Sequence, residues 1–323
     1  MKERKIPELK ELYVERMKEL LPDESDYKNY LEILKKIPVR SIRCNKLKIT
    51  PSDLKKRLEE KGWKLNQPWK DYPEIMIVES VLEPGELGRA LEHLLGYYYI
   101  QELASMLPII ALQPEPEEMI LDLCAAPGSK TTQTSSEMKG TGTIIANEVS
   151  IGRIKILAAN LERCGATNVI ITKKEGMALC KRFKKGDFQF DRILIDAPCS
   201  GEGTLRSSLK TYIMWNIKTV KKLHHVQKQL FSEAIDLLKP NGTLIYSTCT
   251  HAPEENEEVV DAMLKEFKDK IKIEKISLPI KPREGITKWK DKKYSNQVKK
   301  CARVYPHDNN TEGFFLAKFR RIE

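Results

Sequence analysis

The stretch MILDLCAAPGSKT, Met119–Thr131, decides the fold of this 323-residue chain. Met119–Cys124 has the apolar run of a buried strand, and Lys130–Met138 predicts a helix. Between them lie Ala125, Ala126, Pro127 and Gly128, small residues that let a ligand approach the backbone closely. Downstream, Thr143–Asn147, Val169–Thr172, Phe190–Ile195, Thr243–Tyr246 and Phe314–Phe319 read as further strands. Helices are predicted at Ile151–Cys164 and Thr219–Leu238, and another opening at Pro253-Glu254-Glu255, where proline suits a first turn. Strands alternating with helices predict an α/β protein with a mostly parallel, doubly wound sheet.

Upstream the pattern is different. Pro7–Leu21 and Tyr27–Lys36 read as amphipathic helices, Ser41–Ile49 as a strand and Pro51–Lys61 as a helix, followed by short strands near Trp63–Leu65 and Ile75–Glu79. Residues 1–95 are therefore predicted to form a small α+β unit and residues 96–323 the α/β unit. The N-terminal MKERKIPELKELYVERMKELL is a charged helix pattern rather than a signal peptide, and no apolar run is long enough to span a bilayer. A cytoplasmic location is expected.

Twenty residues past Gly128, at the end of the next strand, stands Glu148, placed to accept the ribose hydroxyls of an adenosine. The dinucleotide G-x-G-x-x-G fingerprint and the Walker lysine are both missing, which points to a nucleoside without phosphates, such as S-adenosylmethionine.

Two short strings carry the chemistry: Asp196-Ala197-Pro198-Cys199-Ser200-Gly201 and Ser247-Thr248-Cys249-Thr250. Each places a cysteine just beyond a predicted strand, and reactions in open α/β sheets collect outside the carboxyl ends of strands. Two thiols and a carboxylate can therefore meet in one cleft. A thiolate adds to electron-poor rings. On the residues alone, either cysteine could be the one that attacks.

The chain holds 56 Lys and Arg against 46 Asp and Glu, a net charge of +10, which favours a polyanionic partner. From Lys281 to Arg303 a cationic stretch is interleaved with Trp289 and Tyr294, a composition equally suited to RNA contact and to a solvated loop. Lys181, Arg182, Lys184 and Lys185 read as a plain exposed turn. Arg43, Lys46 and Lys48 are candidates to hold RNA from the N-terminal unit. The seven cysteines form no C-x-x-C pair and the five histidines show no ligand spacing, so neither a metal site nor a disulfide framework is expected. Cys44, Cys164, Cys180 and Cys301 read as ordinary buried residues, and His224 and His225 as surface or packing residues.

Several strings together resemble the RNA cytosine-5 methyltransferases of the Fmu/NSUN type. DLCAAPGSKT (Asp122–Thr131) is similar to that family's cofactor loop, and Glu148-Val149-Ser150 with Arg153, Leu157, Asn160, Arg163 and Gly165 to its second strand and following helix. DAPCSGEGT (Asp196–Thr204) and STCTHAPEENE (Ser247–Glu257) resemble its two cysteine motifs. Arg43-Cys44-Asn45, Gln101–Met106 and Thr311–Phe315 fit further signatures, so the likeness spans roughly residues 40 to 320. The pattern departs at Lys174-Glu175-Gly176, where the family carries an aspartate, and at Thr250, which replaces a serine.

The resemblance implies a Rossmann-like methyltransferase fold with a mostly parallel seven-stranded sheet, and S-adenosylmethionine held by Cys124, Ala125, Ala126, Pro127, Gly128, Lys130, Glu148, Arg153, Glu175 and Asp196. It implies that Cys249 attacks C6 of cytosine, that Cys199 assists release, and that Asp196 holds the ring at N3 and the exocyclic amine with help from Lys130. An Asp196 that shares a proton with N3 requires burial. The expected partner is RNA, tRNA rather than ribosomal RNA, unstacked at the target base and bound by a monomer. The alternatives are a ribosomal RNA methyltransferase and a catalytically silent RNA-binding assembly factor.

Overall fold

The computed structural model describes residues 6–322; Met1–Lys5, the start of the charged N-terminal pattern, and Glu323 lie outside the described residues. Two helices, α1 (Glu11–Leu20) and α2 (Glu24–Leu34), form an N-terminal hairpin. Next come β1 (Arg40–Cys44), α3 (Pro51–Glu59), β2 (Leu65–Asn66), β3 (Ile75–Val78), two single-turn helices α4 (Glu86–Arg89) and α5 (Leu91–Leu94), and β4 (Tyr98–Ile100). The four strands make an antiparallel sheet in the order β2-β3-β1-β4, so the small sheet reaches past residue 95. Strand β1 stops well short of the predicted Ile49 because the Asn45 side chain accepts the Leu47 N–H and turns the chain.

The hairpin packs elsewhere. Tyr13, Met17, Leu21, Tyr30 and Leu34 form one apolar cluster with Leu205, Tyr212, Trp215 and Tyr305 of the α/β part.

Helix α6 (Leu103–Leu112) leads into that part. Nine of its ten residues are buried, and an all-round apolar helix has no 3.6-residue stripe to mark it in the sequence. The chain then alternates: β5 (Met119–Asp122), α7 (Ser129–Glu137), β6 (Thr143–Asn147), α8 (Ile151–Cys164), β7 (Val169–Thr172), α9 (Gly176–Lys185) and β8 (Phe190–Asp196). After α10 (Leu209–Met214) and α11 (Ile217–Ile235) come β9 (Leu238–Thr248) and α12 (Glu257–Glu266). The last elements are β10 (Ile271–Glu274), β11 (Arg283–Glu284), the hairpin β12 (Lys288–Trp289) and β13 (Lys292–Lys293), β14 (Ala302–Val304), α13 (Pro306–Asn309) and β15 (Phe314–Arg321).

Strands β7-β6-β5-β8-β9 are parallel, and β15 runs antiparallel to β9. The sheet has nine strands rather than the seven expected. The far edge of β15 is shared by two half-length partners, β14 on Phe314–Leu316 and β10 on Lys318–Arg321, and β11 extends β14 outward. Alternate residues feed opposite layers: Leu121, Ile193, Ile195, Leu244 and Tyr246 enter one core, Ile120, Leu194 and Ile245 the other. Strand order reverses between β5 and β8, and a cleft opens there beyond the strand ends.

Two local expectations are corrected. The helix predicted from Pro253 begins at Glu257, because Asn256 accepts the Thr248 hydroxyl and donates to the Thr250 carbonyl, tying 253–256 to the end of β9 as a turn. Lys181, Arg182, Lys184 and Lys185 lie on α9, not a turn, and Lys184 pairs with Glu233 and Asp236 on or beside α11. Among the described residues no helix is long and apolar enough to cross a membrane.

Candidate active site

The loop after β5 is shaped by its glycine. Gly128 sits at φ +103, and a Cβ there would lie 2.9 Å from Leu157 Cδ1, so the loop can lie against α8 only without a side chain. The Ala125 N–H donates to the Asn147 carbonyl, and the Pro127 carbonyl accepts from Asn160. From the small sheet, buried Arg43 donates to the Ser129 carbonyl, the Thr132 hydroxyl and Gln101 Oε1. Asn45 donates to the Gly96 and Cys164 carbonyls. The two N-terminal signatures thus anchor the cofactor loop's helix and the end of α8. Burial pushes Asp122 up to about 7, and its carboxylate accepts the Thr131 hydroxyl at 2.8 Å.

Glu148 ends β6 almost wholly buried. One oxygen accepts the Ser150 N–H at 2.9 Å and the other pairs with Arg153 at 2.9 Å; Arg153 also donates to the Ala126 carbonyl. Glu175 caps α9 by accepting the Met177 and Ala178 N–H groups. A cavity of about 350 Å³ joins these parts, lined by Cys124, Ala126, Glu148, Val149, Arg153, Glu175, Asp196, Pro198, Cys199, Leu230 and Cys249. Ala125, Pro127 and Gly128 form the loop beside it rather than its wall. A buried carboxylate at one end and apolar Val149, Pro198 and Leu230 around it suit a nucleoside without phosphates.

Strands β8 and β9 bring the two cysteine strings together. Cys199 Sγ lies 3.1 Å from Cys249 Sγ, and the Cys249 N–H donates to Cys199 Sγ at 3.3 Å. The hydrogen bond to Cys249, followed by burial, holds the Cys199 thiol well above its ordinary range, and either sulfur can donate in the contact between them. Asp196 accepts the Ser247 hydroxyl at 2.8 Å and pairs with the Lys130 ammonium at 2.7 Å. Its side chain is half-buried, 27% exposed, and faces the space between the Lys130 ammonium and Cys249. Lys130 also donates to Ser105 at 3.1 Å and lies over the Phe314 ring. A second cavity, about 470 Å³, is walled by Gln101, Ser105, Lys130, Asp196, Ala197, Cys249 and Phe314. The two cavities meet at Asp196, Ala197 and Cys249.

Ser105, Ser247 and Phe314 were given no role from the sequence, although each lies within one of the strings quoted above. The basic residues expected at the RNA surface are engaged within the chain. Arg43 is buried, Lys46 pairs with Glu137, and Lys48 donates to the Leu95 and Arg163 carbonyls. Trp289 and Tyr294 are buried core residues, while Arg283 pairs with Asp26 and Asp308 and Arg303 with Glu257. Lys288, Lys290, Lys293 and Lys299 are exposed.

The model of 16S rRNA methyltransferase RsmB/F matches residues 109–320, and that of the N-terminal domain of 16S rRNA methyltransferase RsmF matches residues 9–103. The chain belongs to the RsmB/F family. The resemblance to RNA cytosine-5 methyltransferases is thereby shown, and with it dependence on S-adenosylmethionine. A tRNA (cytosine(49)-C(5))-methyltransferase of Pyrococcus abyssi is 43% identical over 285 residues, 88% of this chain and 89% of that protein. Ribosomal RNA small subunit methyltransferase F of Aliivibrio salmonicida is 36% identical over 97% of this chain, which spans 64% of that relative's length. The crystal structure of a methyltransferase homolog protein from Pyrococcus horikoshii superposes with a TM-score of 0.84 at 33% identity, covering 97% of this chain and 95% of the other. The RsmB/F fold accordingly has the doubly wound methyltransferase sheet expected from Met119–Thr131.

Proposed function

We propose that this protein methylates C5 of a cytosine in tRNA, with Cys249 as nucleophile. The observation that carries the reading is the meeting of the two cavities at Asp196, Ala197 and Cys249. One cavity has the carboxylate and apolar walls for the methyl donor, the other an ammonium and a carboxylate for a base.

C5 of cytosine is too weak a nucleophile to take a methyl group unaided. Addition of a thiolate to C6 makes C5 nucleophilic. The Cys249 sulfur lies 3.1 Å from the Cys199 sulfur, close enough for one thiol to hydrogen-bond the other as the attack begins. Thiolate supply is a minor part of the barrier: moving a thiol pKa from ~8.5 to ~7 gains less than ~1 kcal/mol at neutral pH. The larger gain comes from charge set against the ring as density flows to N3 and O2. Asp196 accepts from the exocyclic amine, and Lys130, fixed at 2.7 Å from that carboxylate, brings the positive charge. S-Adenosylmethionine would supply the methyl group as a cation equivalent, and Glu148, at the end of the first cavity, would hold its ribose hydroxyls.

After transfer, Cys249 is a thioether, and the hydrogen bond that most strongly held the proton on Cys199 is gone. Cys199 loses that proton to solvent and takes the one on C5. The C–H pair re-forms the C5=C6 bond, and the C6–Sγ pair returns to Cys249.

The choice of tRNA is supported by the higher identity and fuller mutual coverage of the tRNA-modifying relative. Labelled methyl donor should be incubated with tRNA and with small-subunit ribosomal RNA. Label in tRNA is expected; label only in ribosomal RNA overturns the substrate, and binding without label returns the silent assembly factor. Cys249→Ala should give neither label nor covalent adduct, and Cys199→Ala should trap an adduct. The reverse pattern would exchange the two roles.

A further inference from the structure

Glu255 is fully buried in the turn after Cys249, and no step above uses it. Its carboxylate accepts the Ser200 N–H at 3.0 Å and the Gln227 side-chain amide at 2.8 Å. The same Gln227 nitrogen, on α11, donates to the Pro198 carbonyl at 2.9 Å. Pro198 and Ser200 are the two neighbours of Cys199, so the Glu255–Gln227 pair grips the backbone on both sides of that thiol. The other end of the clamp is fixed as well: the Tyr246 hydroxyl donates to the Glu255 carbonyl, tying the turn to the strand that carries Cys249. A third link, 2.8 Å between the Ser200 and Thr250 hydroxyls, joins the two loops directly.

We propose that Glu255, acting through Gln227 and the Ser200 N–H, is the positioning residue that holds Cys199 at the distance and orientation needed for the release step. This rests on the reading of Cys199 as the residue that takes the C5 proton. Release is the step most sensitive to the clamp. Attack on C6 is made by Cys249 with Lys130 and Asp196 set against the ring and does not use Cys199 as a base, whereas elimination needs Cys199 Sγ aimed at C5 while Cys249 is already bonded to C6.

A carboxylate is a costly group to bury. Burial pushes Glu255 up to about 7, and its hydrogen bonds offset that only in part. Its acceptor geometry, satisfying one backbone and one side-chain donor around a single cysteine, accounts for its presence there.

The test uses the full chain and a tRNA transcript that the wild-type protein methylates, with covalent protein–RNA adduct read on denaturing gels beside multiple-turnover methylation. Glu255→Ala should slow turnover about a hundredfold, the usual result of misplacing a reacting group by an ångström, while adduct accumulates as in Cys199→Ala. Glu255→Gln, which keeps an acceptor for both donors, should restore turnover and clear the adduct. Wild-type turnover in Glu255→Ala overturns the proposal, as does loss of adduct and methylation together with cofactor affinity intact. If Glu255→Ala no longer binds cofactor, Gln227→Met decides: adduct accumulation supports the clamp and its absence overturns it. Absence of adduct in Cys199→Ala itself would instead sink the underlying reading of Cys199.

Discussion

At the scale of single residues, the role proposed for the Lys130–Asp196 pair can be tested apart from that of the thiols. Lys130→Met keeps length and removes the charge, leaving Asp196 with Ser247 alone. Loss of one preorganised charge at a reacting ring should lower methylation about a hundredfold or more. Because that charge acts during addition, adduct should fall with the rate, in contrast to its accumulation in Cys199→Ala; single-turnover assays with gel detection would distinguish the two. Asp196, Cys199 and Cys249 were legible in the sequence because each follows a short apolar run, and the end of a buried strand is a local property. The 3.1 Å between the sulfurs was not, since it depends on β8 and β9 lying side by side. The partners of Arg43, Lys46 and Lys48 were hidden for a related reason. A basic residue's charge is written in the sequence, whereas its partner, here Ser129, Glu137 or Arg163, is 86 to 115 residues away.

At the scale of elements, the N-terminal hairpin braces both cysteine strings. Arg16 on α1 donates to both oxygens of Glu254, at 2.9 and 2.7 Å, five residues past Cys249. Tyr13 packs edge-on against Trp215, whose indole N–H donates to Glu202 at 2.8 Å, three residues past Cys199. Burial alone would raise Glu254, but the Arg16 hydrogen bonds and charge outweigh it and hold the carboxyl at about 2 against an ordinary 4.5. A depressed carboxyl stabilises the fold above its ordinary value, and that stability drains away as pH falls from about 4.5 towards 2, a span worth about 3 kcal/mol. Urea unfolding between pH 6 and pH 3 should show this loss, and Arg16→Met should flatten it while lowering stability at pH 6. An unchanged pH slope in the variant would remove Arg16 as the cause. The sequence marked both hairpin helices, whose apolar stripes are regular, but not the surface they cover. Amphipathic periodicity says that a face is buried without saying against what. Helix α6 escaped detection because it is buried on every side.

At the scale of the whole molecule, the parallel strands were readable from Met119 onward because each carries its own apolar run. Of the antiparallel edge only β15 was read, as Phe314–Phe319, since two- to four-residue strands such as β10, β11 and β14 leave too short a pattern. The same edge, through β15, places Phe314 over Lys130 in the second cavity. That cavity and the one beside Glu148 have separate walls and share only Asp196, Ala197 and Cys249. This division has a kinetic consequence. On the proposed assignment, methyl donor and RNA base occupy different cavities that touch at only three residues, so neither reactant need wait for the other to bind or leave. Addition should therefore be random in order. S-Adenosylhomocysteine should inhibit competitively against S-adenosylmethionine and noncompetitively against RNA, and methylated RNA should show the mirror-image pattern. A strictly ordered pattern, with methylated RNA noncompetitive against both substrates, would mean that the bound RNA closes the donor's door.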